Sequence, residues 1–186
     1  FICTGNSDHN AFKYGKTWMQ YRPIHETECC IGNLHRYFPN YVSRMWLKDR
    51  NGSPVAALYG PSEVLYDLGD GVSVRIEELG EYPFVEKIDF RFTFFRNGRV
   101  TREPLSMDFT FRVPLWCGEA RCSGDGAEEA GELQPGFNTV SRQWKSGDIF
   151  SLELPMTPVF EDNAVAGRSL CYGPLVFSYS IPADCV

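Results

Sequence analysis

The chain has 186 residues with a formal charge of −6, long enough for one domain with its own core. It holds no cluster of Lys and Arg to meet phosphates, which argues against nucleic-acid binding, and no run of about 18 apolar residues to make a membrane span. Aromatic residues make up 15% of it, with 14 Phe, 9 Tyr and 4 Trp beside 17 Gly and 12 Pro, a balance that favours an all-β domain.

Residues 1–26 are mixed and polar, with no sustained periodicity, and read as an irregular lead-in. The first residue is Phe1 and no signal-peptide pattern follows it, so the sequence is expected to be a processed product or a fragment of something longer. Its compartment stays open between cytoplasmic and periplasmic or secreted. Residues 28–48 read as a helix, because Ile31, Leu34, Phe38, Val42, Met45 and Trp46 recur at steps of three or four. Thr27 or Glu28 supplies the N-cap region, and Pro39 is expected to kink the helix or to split it near residue 38. Asn51-Gly52 ends the run as a turn.

From Pro54 the period changes to two. Val55–Tyr59 is a short apolar run, and Val72–Leu79, Ile88–Phe94 and Met107–Val113 alternate. The last two place apolar residues on one face and Asp, Arg and Thr on the other, as a sheet with one buried face requires. Asn97-Gly98 separates them and suggests a hairpin or a wider loop. Residues 118–136 are acidic and Gly-rich and read as a turn and an exposed loop. Further strands are expected at Asn138–Arg142, Ile149–Leu154 and Leu175–Ser180, with Trp144–Asp148 as a turn. Short strands at roughly ten-residue spacing indicate a mainly β fold, a β-sandwich or jelly roll preceded by a short helical segment. The expected division is 1–52, lead-in and helix, and 53–186, the β-sandwich.

Seven cysteines stand at positions 3, 29, 30, 117, 122, 171 and 185, and they form no paired CxxC motifs of a zinc ribbon. Cys117 and Cys122 either pair across a turn or remain buried free thiols, the plainer alternative. The chemistry concentrates at Cys29-Cys30. Cys29, Asn33 and Arg36 fall on one helical face. A thiol at a helix N-terminus meets the positive end of the helix dipole, which favours the thiolate, the form that attacks carbon and binds soft metals. Zinc takes four ligands, commonly Cys, His and carboxylate, and Cys3, His25, Glu26, Glu28 and His35 are the nearby donors, none at a diagnostic spacing. The plain alternative is one buried thiol with a neighbour, and surface or satisfied roles for His9, His25 and His35.

The run ECCIGNLHRYFPNYVSRMW, followed by Ala57–Glu63, resembles glycoside hydrolase family 127, the β-L-arabinofuranosidase-like enzymes, which carry a Cys-Cys pair with Asn and Arg at this spacing and then an LY-x-x-S segment. Glu81-Tyr82-Pro83-Phe84 is similar to that family's YPW/F segment, and Phe111–Trp116 to its LRIPxW. Trp144–Asp148 with Leu154-Pro155-Met156 is similar to WKxGD…LPM, and Tyr172–Val176 to RGPLVY. These segments occur in family order and cover nearly everything from residue 28 to 180.

The resemblance implies that an (α/α)6-barrel catalytic domain lies upstream and that residues 1–52 hold its last helical piece. It also implies a carbohydrate partner, an arabinose-containing glycan or a relative of one, and a zinc cofactor in the full-length parent. Cys29 would be the zinc-bound nucleophile and Cys30 a second zinc ligand, with Asn33 and Arg36 in support. The thiolate would attack the anomeric carbon to form a thioglycosyl intermediate, which water then hydrolyses with retention, a two-step logic that replaces the usual carboxylate pair. The family's remaining zinc ligands, a Glu and a Cys, and its acid/base Glu come from well upstream. Residues 1–27 hold no matching segment, so Cys3 and Glu26 are not given those roles. The chain alone is therefore expected to be incomplete as an enzyme. The alternative function is an accessory or carbohydrate-binding β-sandwich whose exposed aromatics, Trp116 or Trp144, stack on sugars. A third is a structural module that contacts another domain.

Overall fold

The computed structural model describes residues 29–163 and 167–177, with the backbone alone for residues 29–35 and 163. The chain divides into two compact units, Phe1–Ser43 and Arg44–Val186. In the first, helix α1 spans Cys29–Val42 and runs through Pro39 as one element. The helix is not split there because the turn closes again beyond the proline. Ser43 N–H donates to Pro39 O at 2.9 Å, and the Asn40 side-chain amide donates to Arg36 O at 2.7 Å.

The second unit is built from strands β1 (Trp46–Lys48), β2 (Pro54–Ala56), β3 (Ser62–Gly69), β4 (Val72–Leu79), β5 (Lys87–Arg96), β6 (Arg99–Val100), β7 (Leu105–Val113), β8 (Arg121–Gly124), β9 (Gly136–Trp144), β10 (Ile149–Glu153), β11 (Pro158–Asn163), β12 (Gly167–Tyr172) and β13 (Leu175–Phe177), with a one-turn helix α2 (Ala127–Ala130) between β8 and β9. A four-stranded sheet has the order β1-β2-β7-β9. A six-stranded sheet has the order β3-β4-β5-β10-β8, with β6 paired to β5, and β11-β12-β13 form a third. Among the described residues all strand pairings are antiparallel except β2 with β7, which is parallel.

The expected helix over 28–48 therefore stops early, and Trp46–Lys48 is a strand. Trp46, Leu47 and Lys48 pair with Ala56, Val55 and Pro54 across the Asn51-Gly52 turn. Tertiary contacts override the helical spacing here, since the Trp46 ring packs edge-on against Tyr66 and Phe90 and its indole N–H reaches Ser62 Oγ at 3.0 Å. The region read as a loop over 118–136 also holds β8 and α2. Strand β8 escapes sequence reading because it is an edge strand, paired only through β10, and carries no apolar alternation. The Asn97-Gly98 turn makes a hairpin of β5 with the short β6, and the expected partner strand, β7, lies in the other sheet.

The two larger sheets bury one aromatic layer between them. From the six-stranded sheet come Phe90, Phe92, Phe94 and Phe150, and from the four-stranded sheet Phe109, Phe111 and Trp144, all fully buried. Contacts cross the layer at Phe92–Trp144 (4.3 Å between ring centroids), Phe111–Phe150 (4.9 Å), and Phe90–Phe109 and Phe92–Phe109 (both 5.1 Å). Each such pair contributes about 0.5–1.5 kcal/mol beyond its buried area. The Trp144 indole N–H donates to Met107 O, so its burial leaves no polar atom orphaned.

At one margin the sheets are clipped by Tyr59, whose buried hydroxyl donates to Arg112 O and accepts from Arg112 N–H. Tyr59→Phe is expected to lower stability by about 1–3 kcal/mol, because both backbone groups of Arg112 lose that partner inside the protein. Urea unfolding measures the loss, and no change would show that water replaces the hydroxyl.

Candidate functional site

Backbone geometry places Cys29 and Cys30 as the first two residues of α1, with Asn33 and Arg36 one and two turns further on. Cys29, Asn33 and Arg36 therefore share a helical face, and Arg36 is exposed. The N-terminal turn of a helix points free N–H groups outward and favours a thiolate attached there. Cys3, His9, His25, Glu26 and Glu28 lie outside the described residues, and His35 is described by its backbone alone. Beyond Arg36 the helix exposes Tyr37, Phe38 and Val42.

The other described cysteines, Cys117, Cys122 and Cys171, are free thiols. Burial pushes each of them up from the ordinary thiol range, so they stay protonated. Cys117 and Cys122 take the free-thiol alternative. Cys117 donates weakly to Pro155 O and Cys122 to Ala127 O. No group of three or more His, Cys, Asp and Glu that could hold a metal occurs among the described residues. No helix among them is long and apolar enough to cross a membrane.

Several segments singled out in the sequence meet at one end of the sandwich. Glu86, just past Tyr82-Pro83-Phe84, accepts Leu154 N–H on its carbonyl (2.9 Å) and Met156 N–H on its carboxylate (2.8 Å). The Tyr172 hydroxyl reaches the same carboxylate oxygen at 3.4 Å. Gly173 lies so close to Trp116 that an added Cβ would stand 3.3 Å from the indole ring. Phe84, Leu115 and Trp116 stay exposed there, Trp116 at 39%, whereas Trp144 is fully buried and is no stacking platform.

Sequence reading missed Glu78. It is 3% exposed, the pairing partner of Phe90 on the aromatic layer. The signal was present, because alternation puts residue 78 in line with the buried Val74 and Ile76. Its carboxylate accepts Gly60 N–H at 2.7 Å and Ser62 Oγ–H at 3.3 Å, and Ser62 in turn accepts the Trp46 indole. Burial raises the Glu78 pKa from 4.5 to about 8 against those two hydrogen bonds. Burial also pushes the phenols of Tyr59 and Tyr66 up, the latter to about 12.

Among solved structures, the chain is similar to Ara127N-Se, a GH127 β-L-arabinofuranosidase from Geobacillus stearothermophilus T6, at a TM-score of 0.69 and 19% identity over 91% of this chain and 27% of that one. A solved glycoside hydrolase follows at 0.68 and 20%, covering 84% and 26%. The GH127 β-arabinofuranosidase BT3674 follows at 0.65 and 19%, covering 84% and 27%. At these identities the likeness establishes the fold, and the chain spans about a quarter of the length of these relatives. No curated protein matches it. The model of the β-L-arabinofuranosidase GH127 middle domain matches residues 55–156, the stretch from β2 to the close of the sandwich, and the chain belongs to that family.

Proposed function

We propose that this chain serves as part of a retaining glycoside hydrolase acting on β-L-arabinofuranosides, with Cys29 as its nucleophile. The observation that carries this reading is the position of the pair: Cys29-Cys30 opens α1 directly ahead of a GH127 middle domain. The Cys29 thiolate attacks the anomeric carbon as the bond to the leaving oxygen breaks, and that oxygen takes a proton from an acid outside the described residues. Water then displaces the thiolate and returns the sugar with its configuration retained. The helix N-terminus favours the thiolate throughout.

Two adjacent thiols suit half of a tetrahedral zinc shell, so Cys29 and Cys30 are the residues that would hold zinc, the other two ligands coming from outside the described residues. When bound, zinc keeps the thiols deprotonated at neutral pH. Asn33 and Arg36 orient groups on the same face. In this reading the helical segment that ends before β1 belongs with an upstream catalytic barrel, the strands from β1 onward form the sandwich that carries it, and the chain by itself is incomplete.

Mass spectrometry of the full-length protein, treated with a cysteine-reactive arabinofuranoside analogue, is expected to find the label on Cys29 and none in Cys29→Ala. Turnover in that variant should fall by about 10⁴ or more. A label on another residue, or full activity in the variant, would refute the assignment. The exposed Trp116 favours a second reading, an accessory sugar-binding module. Glycan binding by the isolated chain that is lost in Trp116→Ala, with no Cys29 labelling in the full protein, would select it.

A further inference from the structure

The end of the sandwich that gathers Glu86, Trp116, Met156 and Gly173 has no part in the cysteine chemistry. The turn closed by Phe84 N–H on Glu81 O leads into Glu86, and the turn closed by Cys117 N–H on Pro114 O carries Trp116. Met156 ties the two together. Its N–H donates to Glu86, and its side chain lies with Trp116 against Gly173, where an added Cβ would stand 2.9 Å from Met156 Cγ and 3.3 Å from the indole. All these residues belong to the second unit.

Glu86 and Trp116 are each held from one side and open on another. Glu86 is half-buried, and both donors to its carboxylate, Met156 N–H at 2.8 Å and the Tyr172 hydroxyl at 3.4 Å, reach Oε1. Oε2 has no partner among the described residues, and no cation among them pairs with this carboxylate. The indole N–H groups of Trp46 and Trp144 are bonded inside the fold, to Ser62 Oγ and Met107 O. That of Trp116 has no partner among the described residues. Phe84, two residues before Glu86, and Leu115, next to Trp116, add exposed apolar surface.

We propose that Trp116 and Glu86 form a binding site for a neutral oligosaccharide, built without the cysteine pair. The C–H face of one sugar ring stacks on the Trp116 indole, and a hydroxyl at its rim donates to Glu86 Oε2. The in-plane indole N–H donates to a hydroxyl of the adjoining unit. This site rests on the sugar-binding role given to Trp116 above, adds Glu86 as its polar partner, and stands with or without catalysis at Cys29. A sugar ring offers an apolar face and a rim of hydroxyls together, the same pairing as an indole beside an open carboxylate. A dry protein partner would instead bury Oε2 without a donor, which is costly. An anionic ligand is disfavoured too. Cys117, next to Trp116, has its thiol raised first by burial and further by the nearby charges of Glu86 and Glu119, so the local field is negative.

The test is a titration of the ¹⁵N-labelled chain with a neutral, thio-linked arabino-oligosaccharide. The Trp116 indole N–H and the Met156 amide, which rests on Glu86, should shift together and saturate with a Kd of about 1 mM, as one stacked ring and few hydrogen bonds allow. Trp116→Ala should raise the Kd more than about tenfold. Glu86→Gln keeps an acceptor for Met156 N–H and should raise it about tenfold, and a uronic-acid oligosaccharide should bind about tenfold more weakly to the native chain. Silence of both signals up to about 20 mM ligand, or saturation at residues elsewhere, would overturn the site. Binding lost in Trp116→Ala but unchanged in Glu86→Gln would overturn the pairing and leave the earlier sugar-binding reading standing. In the full-length protein a ¹⁹F-labelled Trp116 should answer the same ligand. A Trp116 that is covered there and ignores the ligand would make this end a domain contact and sink the proposal. Labelling of Cys29 moves independently of all these readouts.

Discussion

Phe109→Ala is expected to lower the unfolding free energy by about 4 kcal/mol, a large share of the roughly 5–15 kcal/mol that holds a domain of this kind together. Phe109 is fully buried in the middle of β7 and touches both sides of the aromatic layer. Its ring meets Phe90, Phe92 and Phe150 of the six-stranded sheet, and Phe111 and Trp144 of its own. Truncation removes the transfer energy of one phenyl group and opens a void. The void cannot collapse easily, because the surrounding rings are fixed from two sheets at once. Urea denaturation should show the midpoint falling by about 2 M with little change in slope. Phe137→Ala, at a site 60% exposed on neighbouring β9, should stay within about 0.5 kcal/mol of the native chain. A loss under about 2 kcal/mol at Phe109 would mean that the layer repacks.

Gly124→Ala is expected to cost about 3 kcal/mol, a severe effect for one added methyl group. Gly124 ends β8 opposite Phe150 with φ at +81°. A Cβ there would lie 2.4 Å from Ile149 O, a backbone atom that cannot swing aside. The same substitution at Gly52, whose φ is +87° but which has nothing within 4 Å of the added atom, carries only the left-handed backbone cost of about 1 kcal/mol. Comparing the two variants by thermal unfolding isolates the clash. If both lose the same amount, β8 slides along β10 instead.

The long alternating strands were legible in the sequence because each buries one face only. Val72–Leu79 is β4 residue for residue, and Ile88–Phe94 and Met107–Val113 lie inside β5 and β7. Of the short ones, β10, β13 and most of β2 fall within the apolar runs read at Ile149–Leu154, Leu175–Ser180 and Val55–Tyr59, whereas β1, three residues long, was not read as a strand because Trp46 continued the helical spacing by coincidence. β3 was hidden by Leu65, an exposed leucine on its outer face that blurs the contrast with buried Tyr66. At the candidate site, the adjacent cysteines stood out in the sequence itself, family resemblance supplied their roles, and the backbone gives the pair a helix N-terminus. Glu78 was overlooked although the strand parity that buries Val74 and Ile76 puts it on the inward face as well.

The parallel pairing of β2 with β7 also sets an order of events at the ribosome. β2 lies beside β7 through Val55 with Thr110 and Ala56 with Phe111, so of its two partner strands only β1 has been synthesised when it emerges. β9, which completes that sheet on the other edge of β7, ends only at Trp144. The β3–β4–β5 meander needs only neighbouring turns and can form first. Until β7 arrives, Val55, Ala56 and Tyr59 wait without the sheet that buries them in the finished chain. Translation speed between residues 59 and 113 is therefore the interval in which a nascent chain is most exposed to wrong partners.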